Sequence, residues 1–209
     1  MSVTAIVDYG VGNLFSLTSS VRAVGGRPVV TGDPDVLASA DRILLPGVGA
    51  FGDAAEKLRA TGLIPVLEER VRAGTPLMGI CLGMQLLFQS SSEYGTHAGL
   101  GWLPGRVESL AEALRGTPEE SLKVPHMGWN SLTFSDPSCP LLAGIPEGSF
   151  VYFVHSFYAV DCDDSLRAWA PYGVRVPALV SRENVYGCQF HPEKSGGVGL
   201  KILESFQRM

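Results

Sequence analysis

Positive charge is scarce in this chain: 16 Lys and Arg stand against 21 Asp and Glu in 209 residues, a formal net charge of −5. Neutralising a phosphate backbone takes a clustered excess of Lys and Arg, so its absence argues against a nucleic-acid surface and leaves small molecules and proteins as partners. Cysteine is scarce as well. Cys81, Cys139, Cys162 and Cys188 form no Cys-x-x-Cys pair and no short secreted framework, which fits a reducing compartment and no structural zinc site. No apolar run approaches the length of about 20 residues that crosses a bilayer. The sequence also enters its first apolar run, Val3-Thr4-Ala5-Ile6-Val7, without a basic segment before it. A soluble, cytoplasmic protein is expected. Internal repeats, low-complexity tracts and linkers are missing too, so one domain over residues 1–209 is expected.

What is present is a core. Apolar residues make up 45% of the chain, and 209 residues suffice to bury a substantial interior. Short apolar runs at 3–7, 28–31 and 42–45 alternate with helix-like patterns at 13–24, 34–39, 53–60 and 63–73. That alternation predicts an α/β domain with a central, mostly parallel sheet flanked by helices. Beyond Gly105 the texture changes. Runs at 106–109, 130–134, 150–153, 178–181 and 185–190 are short, β-branched or aromatic, and broken by Pro, Gly and Asp. They predict a smaller antiparallel or mixed sheet portion in the C-terminal half, followed by a terminal helix over about 198–208.

The stretch Pro76-Leu77-Met78-Gly79-Ile80-Cys81-Leu82-Gly83-Met84-Gln85-Leu86 is the focus of the chain. An apolar strand changes at Cys81 to helical spacing, with Leu82, Gln85, Leu86 and Gln89 on one face. Gly79 and Gly83 remove the side chains that would crowd such a turn, the layout of a nucleophile elbow with Cys in the Ser place. The thiol is expected at the carboxyl end of a parallel strand, where sites of α/β sheets lie, pointing toward solvent beside a helix N-terminus that favours the thiolate. A lone Cys after a strand is more often a core residue, so partners elsewhere must decide.

A thiolate nucleophile needs a base, and the base needs an acceptor that fixes its tautomer. His191-Pro192-Glu193, directly after the predicted strand at 185–190, supplies both, with the two side chains on one side if the segment is extended. Of the other three His, His97 lies in a Gly-rich loop, His126 follows Pro125, and His155 ends the 150–154 strand. Acyl chemistry also needs oxyanion donors. Pro46-Gly47-Val48-Gly49 ends the third strand, and its amides, together with that of Leu82, are candidates. Gly47-Val48-Gly49-Ala50-Phe51-Gly52 also matches the dinucleotide fingerprint, but it does not follow the first strand, and Glu68 and Glu69 fall inside a predicted helix, so nucleotide binding is the weaker reading.

Together Gly79-Ile80-Cys81-Leu82-Gly83-Met84-Gln85, Pro46-Gly47-Val48-Gly49 and Gln189-Phe190-His191-Pro192-Glu193 resemble the class I, or triad, glutamine amidotransferases, over essentially the whole chain. The resemblance implies a flavodoxin-like amidotransferase fold and a glutaminase without metal or cofactor. It implies that Cys81 attacks the carboxamide of L-glutamine, that His191 shuttles the proton and Glu193 orients it, and that Gly47, Val48, Gly49 and Leu82 hold the oxyanion. It places Gln85, Glu93, His155, Ser156 and Phe157 around the glutamine. Phe157 stands where relatives often carry Tyr. The finer motifs Asp8-Tyr9-Gly10-Val11-Gly12-Asn13-Leu14, Pro125-His126-Met127-Gly128-Trp129-Asn130 and Glu193-Lys194-Ser195 resemble one branch. In that branch ammonia passes through a tunnel to a (β/α)₈-barrel cyclase, the partner in a heterodimer that makes imidazole glycerol phosphate for histidine biosynthesis. Met127, Trp129 and Asn130 would face that partner. Amidotransferases of guanylate, anthranilate or pyridoxal phosphate synthases, and a non-catalytic binding module on the same fold, remain alternatives.

Overall fold

A computed structural model describes residues 2–209. The first half follows the strand and helix rhythm: β1 (Val3–Val7), α1 (Leu14–Ala23), β2 (Arg27–Thr31), α2 (Pro34–Ala38), β3 (Arg42–Gly47), α3 (Phe51–Ala60), α4 (Ile64–Arg72), β4 (Leu77–Cys81) and α5 (Leu82–Leu86). Two short strands, β5 (Ser90–Ser91) and β6 (His97–Ala98), lead to β7 (Arg106–Ser109) and α6 (Leu110–Leu114). The second half contains β8 (His126–Ser131), β9 (Thr133–Phe134), β10 (Phe150–His155), β11 (Phe157–Val160), β12 (Leu166–Tyr172), β13 (Val174–Arg182), β14 (Val185–Cys188) and α7 (Gly196–Gln207). No described helix is long and apolar enough to cross a membrane.

The main sheet has eight strands in the order β2-β1-β3-β4-β14-β13-β12-β9. Neighbours from β2 through β14 are parallel, and those from β14 to β9 are antiparallel. Alternation along the parallel strands divides the core between the two faces. Ala5, Val7, Ile43, Leu45 and Leu77 pack on the side of α2, α3 and α4. Ile6, Leu44, Met78 and Ile80 pack against α1 and α7 through Leu17, Val21, Ile202, Leu203 and Phe206. A four-stranded sheet, β11-β7-β5-β6, and a two-stranded one, β10-β8, complete the fold.

Several expected boundaries move. The run at 130–134 is not one strand: β8 pairs with β10, whereas β9 pairs with β12. Between them Leu132 is fully buried and bonds back to Ser149, so the chain changes sheet at an apolar anchor. The helix after Cys81 is a single turn, and Gln89 lies beyond it, donating its backbone N–H to the Gly105 carbonyl. Strand β14 ends at Cys188, two residues before the expected end.

Candidate active site

Strand β4 runs into α5 through Cys81, whose backbone has φ 54° and ψ −112°. A non-glycine residue in that region is strained, and the surroundings must hold it there. The parallel pairing of β3 and β4 reaches Gly47 opposite Cys81, and the flanking glycines admit the tight turn. A Cβ on Gly83 would lie 1.8 Å from the Leu45 carbonyl oxygen, and one on Gly79 would lie 2.5 Å from the Gly83 oxygen. Cys81 is buried, 7% exposed, so it lies on the floor of a cleft rather than standing in solvent as expected.

That cleft, with a volume of about 400 Å³, brings together Cys81, Leu82, Gln85, Val48, Gly49, Glu93, His155, Ser156, Phe157 and His191, and adds Pro125, Val154 and Lys194. His191 Nδ1 lies 2.8 Å from Glu193 Oε1, and both side chains are buried. The segment carrying them is not extended, because Pro192–Lys194 forms a 3₁₀ turn with His191 at its N-cap. Ser195 locks this turn: its hydroxyl donates to the His191 carbonyl at 2.6 Å and accepts from the Tyr152 amide at 3.0 Å. Burial alone would lower the His191 pKa, but the neighbouring Cys81 thiolate and the Glu193 carboxylate outweigh it and raise the imidazole to about 9. Such a site favours the protonated form of the imidazole at neutral pH.

The four expected oxyanion residues divide. Val48 and Gly49 are exposed on the rim, with Gly49 at φ 100°. Gly47 does not line the cleft. It is buried as the last residue of β3, where a Cβ would meet Gly83 N, the Tyr9 hydroxyl and Leu82. The missing side chain lets β3 approach the elbow. Leu82 lines the floor.

Gln85 is buried, and its Nε2 donates to the Phe157 carbonyl at 2.9 Å and to Gln189 Oε1 at 3.0 Å. Glu93 lines the cleft while its Oε2 accepts the Phe51 amide at 2.6 Å, capping α3 where Ala50 has no side-chain cap. A carboxylate at that helix N-terminus would repel a pyrophosphate, which removes the dinucleotide reading of Gly47 to Gly52.

His155 has both nitrogens engaged inside the protein. Nδ1 lies 2.9 Å from the Phe157 carbonyl, and Nε2 lies 3.0 Å from His126 Nδ1. The carbonyl can only accept, so His155 carries its proton on Nδ1 and His126 donates to Nε2. Burial lowers His126 to about 4 and, with the facing His126 ring, lowers His155 to about 3. Both are therefore neutral. Met127 and Trp129, on the outward side of β8, are 60% and 55% exposed. Asn130 departs from the expectation of an outward-facing group: it is half-buried, and its Nδ2 donates to the Pro171 carbonyl at 2.7 Å and lies 3.5 Å from His126 Nε2.

Sequence reasoning did not reach Lys194, Val154 or Pro125 as lining residues. Lys194 follows Glu193 directly, and its Nζ lies 6.0 Å from the centre of the Tyr152 ring. Its adjacency to the predicted orienting carboxylate and its place in the Glu193-Lys194-Ser195 motif were the available signals. Gln189, two residues before His191 in the Gln189-Phe190-His191-Pro192-Glu193 motif, also went unassigned.

The chain matches the family description "Glutamine amidotransferase class-I" over residues 5–208. It is 50% identical over 205 residues to the imidazole glycerol phosphate synthase subunit HisH of Bacillus velezensis, covering 98% of this chain and 95% of that one. The protein of the same name from Bacillus subtilis is 49% identical over 206 residues, with coverage of 98% and 95%. Among solved structures, PurLQS from Thermotoga maritima superposes with a TM-score of 0.76 at 21% identity over 99% of this chain and 98% of that one. The crystal structure of another glutamine amidotransferase gives 0.73 at 19% identity, covering 98% and 99%. These two likenesses concern the fold.

Proposed function

The chain belongs to the class-I glutamine amidotransferase family, and on that premise we propose that it is the glutaminase subunit of an imidazole glycerol phosphate synthase. One observation carries the chemistry: a Cys on a strained elbow shares a cleft with a His whose far nitrogen is held by a buried carboxylate. The similarity to HisH subunits over 98% of the chain carries the choice of pathway.

In this proposal L-glutamine enters with its carboxamide over Cys81. The Sγ proton resides on His191 Nε2, and the sulfur electron pair forms a bond to the carboxamide carbon. The carbonyl oxygen takes the negative charge, facing the Leu82 amide and the amides of the Val48 to Gly49 turn. His191 returns its proton to the departing nitrogen, the C–N bond breaks, and ammonia leaves a glutamyl thioester. Water, deprotonated by His191, then attacks the thioester, the C–S bond breaks, and glutamate leaves the thiolate beside a protonated His191. Glu193 holds the Nδ1 proton throughout, so Nε2 always faces the reaction.

The partner in this reading is a (β/α)₈-barrel cyclase, which takes the ammonia, and the pair works in the cytoplasm. Met127 and Trp129 are large, exposed and apolar, the character of residues at the centre of an interface. The exposed Val48 and the positive-φ Gly49 form a turn that can rearrange when the cyclase is occupied, which would restrain wasteful hydrolysis.

The test is steady-state glutamine hydrolysis with and without a purified barrel cyclase, combined with labelling by a glutamine-mimetic electrophile. Turnover that rises with the cyclase, and labelling that vanishes in Cys81→Ala, are expected. His191→Asn should fold and lose turnover. Undiminished hydrolysis by Cys81→Ala would remove the mechanism, and equal turnover of the isolated chain and the complex would remove the restraint.

A further inference from the structure

Gln189 is fully buried between the nucleophile and the glutamine-binding side chains, and the mechanism above gives it no part. Its Nε2 lies 3.7 Å from Cys81 Sγ, within the reach of an N–H to sulfur hydrogen bond, and its Oε1 accepts from Gln85 Nε2 at 3.0 Å. The second contact settles the first. Gln85 Nε2 also donates to the Phe157 carbonyl, which can only accept, so Gln85 must present a donor to Gln189. Gln189 must then turn its oxygen to Gln85 and its amino group to the sulfur. Because His155 Nδ1 contacts the same Phe157 carbonyl, that acceptor is held from two sides. An amide is costly to bury where an apolar side chain would fill the space, yet this one is aimed at the reacting atom.

We infer that Gln189 is a further catalytic residue, whose Nε2–H donates to the Cys81 thiolate both in the resting enzyme and when the thioester expels it. The inference rests on Cys81 being the nucleophile. Before acylation the Sγ proton lies on His191 and the charge on sulfur, where a fixed N–H dipole meets it without reorganising; as the C–S bond forms, that charge passes to the carbonyl oxygen. In deacylation the C–S bond breaks, the sulfur takes back the electron pair, and the same N–H is already in place. The titratable groups nearest the sulfur are His191, Tyr9 and Cys188, with Glu93 and Lys194 on the cleft wall. Burial holds the Tyr9 hydroxyl and the Cys188 thiol well above their ordinary ranges, so both stay protonated and neutral. That leaves the imidazolium as the charged partner of the thiolate and Gln189 as its dipolar partner.

The experiment uses the full chain and measures alkylation of Cys81 by iodoacetamide across pH, with glutamine turnover alongside. Gln189→Met keeps the volume and loses the donor. Gln189→Glu keeps an acceptor for Gln85 and loses the amide. Removing a hydrogen bond to a charged group lowers turnover by roughly tenfold to a hundredfold. Both variants should alkylate roughly tenfold more slowly near neutral pH and match the wild type above about pH 10, where a thiol ionises unaided. Wild-type rates near neutral pH, or slowing that persists at high pH, would overturn the inference, the second because it marks a displaced sulfur. Should neither variant fold, the side-chain amide resonance of Gln189 in the wild type serves instead: it should move as Cys81 ionises, and a stationary resonance would overturn the inference. Failure of wild-type Cys81 to react with the glutamine mimic would count against the nucleophile itself. Reaction there with no effect at Gln189 would count against Gln189 alone.

Discussion

The carbonyl oxygen of Leu45 occupies the place where Gly83 would carry a side chain, 1.8 Å from the position of a Cβ. Backbone meets backbone here, so neither atom can swing aside. Gly83→Ala should therefore push α5 off β3 and cost more than about 3 kcal/mol, the upper range for overpacking. Denaturant unfolding measures it, and a stability equal to wild type would show that the elbow tolerates a wider turn.

Cys81 and Glu193 together hold the His191 imidazole at about 9 against burial. Cys81→Ala should lower that value, and Cys81→Ala with Glu193→Gln should carry it below the ordinary 6.5, because only burial then acts. An imidazole raised on folding stabilises the protein fully below the unfolded value of about 6.5, and the contribution fades as pH climbs through about 9. NMR titration of the His191 ring, with melting temperatures over pH 6 to 10, checks both statements. A titration unmoved by Cys81→Ala would separate the sulfur from the ring.

The buried pair His126 and His155 behaves in the opposite sense. Both are neutral in the fold, at about 4 and 3, while an unfolded imidazole binds its proton near 6.5. The unfolded chain therefore takes up more protons as pH falls below about 6.5, and stability declines with it. Melting should drop by roughly 5 °C or more between pH 6.5 and pH 4. His126→Phe, which keeps a ring between Phe153 and Tyr172, should flatten that slope. A slope unchanged by the substitution would assign the acid sensitivity elsewhere.

Glu93 caps a helix from 42 positions away in sequence. Glu93→Ala leaves the Phe51 amide without its acceptor and should cost about 1 kcal/mol, seen as a melting temperature lower by about 2–4 °C. Because the same carboxylate lines the cleft, the KM for glutamine should rise in parallel. Loss of stability without a change in KM would make Glu93 a cap only.

Much of this was legible because the informative residues are neighbours in sequence. Gly79, Cys81 and Gly83 announce the elbow within five positions, and His191 and Glu193 need only a local turn to meet. The parallel half of the sheet was legible for the same reason, one βα unit at a time. What escaped depends on pairing across the chain. Strand β12 contains Pro171 and β13 contains Pro177, residues that argue locally against a strand, yet Trp169 pairs with Pro177 and Tyr172 with Val174. His126 read as a His after a proline, because nothing nearby reveals that His155 lies 3.0 Å away. At Gly47 the need for close approach was not legible, because a glycine that lets backbones meet looks the same in sequence as one that turns an amide.

Gly47 and Cys81 are the last paired residues of adjoining strands, and only after Gly47 does the chain leave the ladder for the exposed turn at Val48 and Gly49. An engineer could therefore rebuild that connection, with a metal-clamped or light-switched insert, and redesign how the enzyme is triggered while leaving its nucleophile in place.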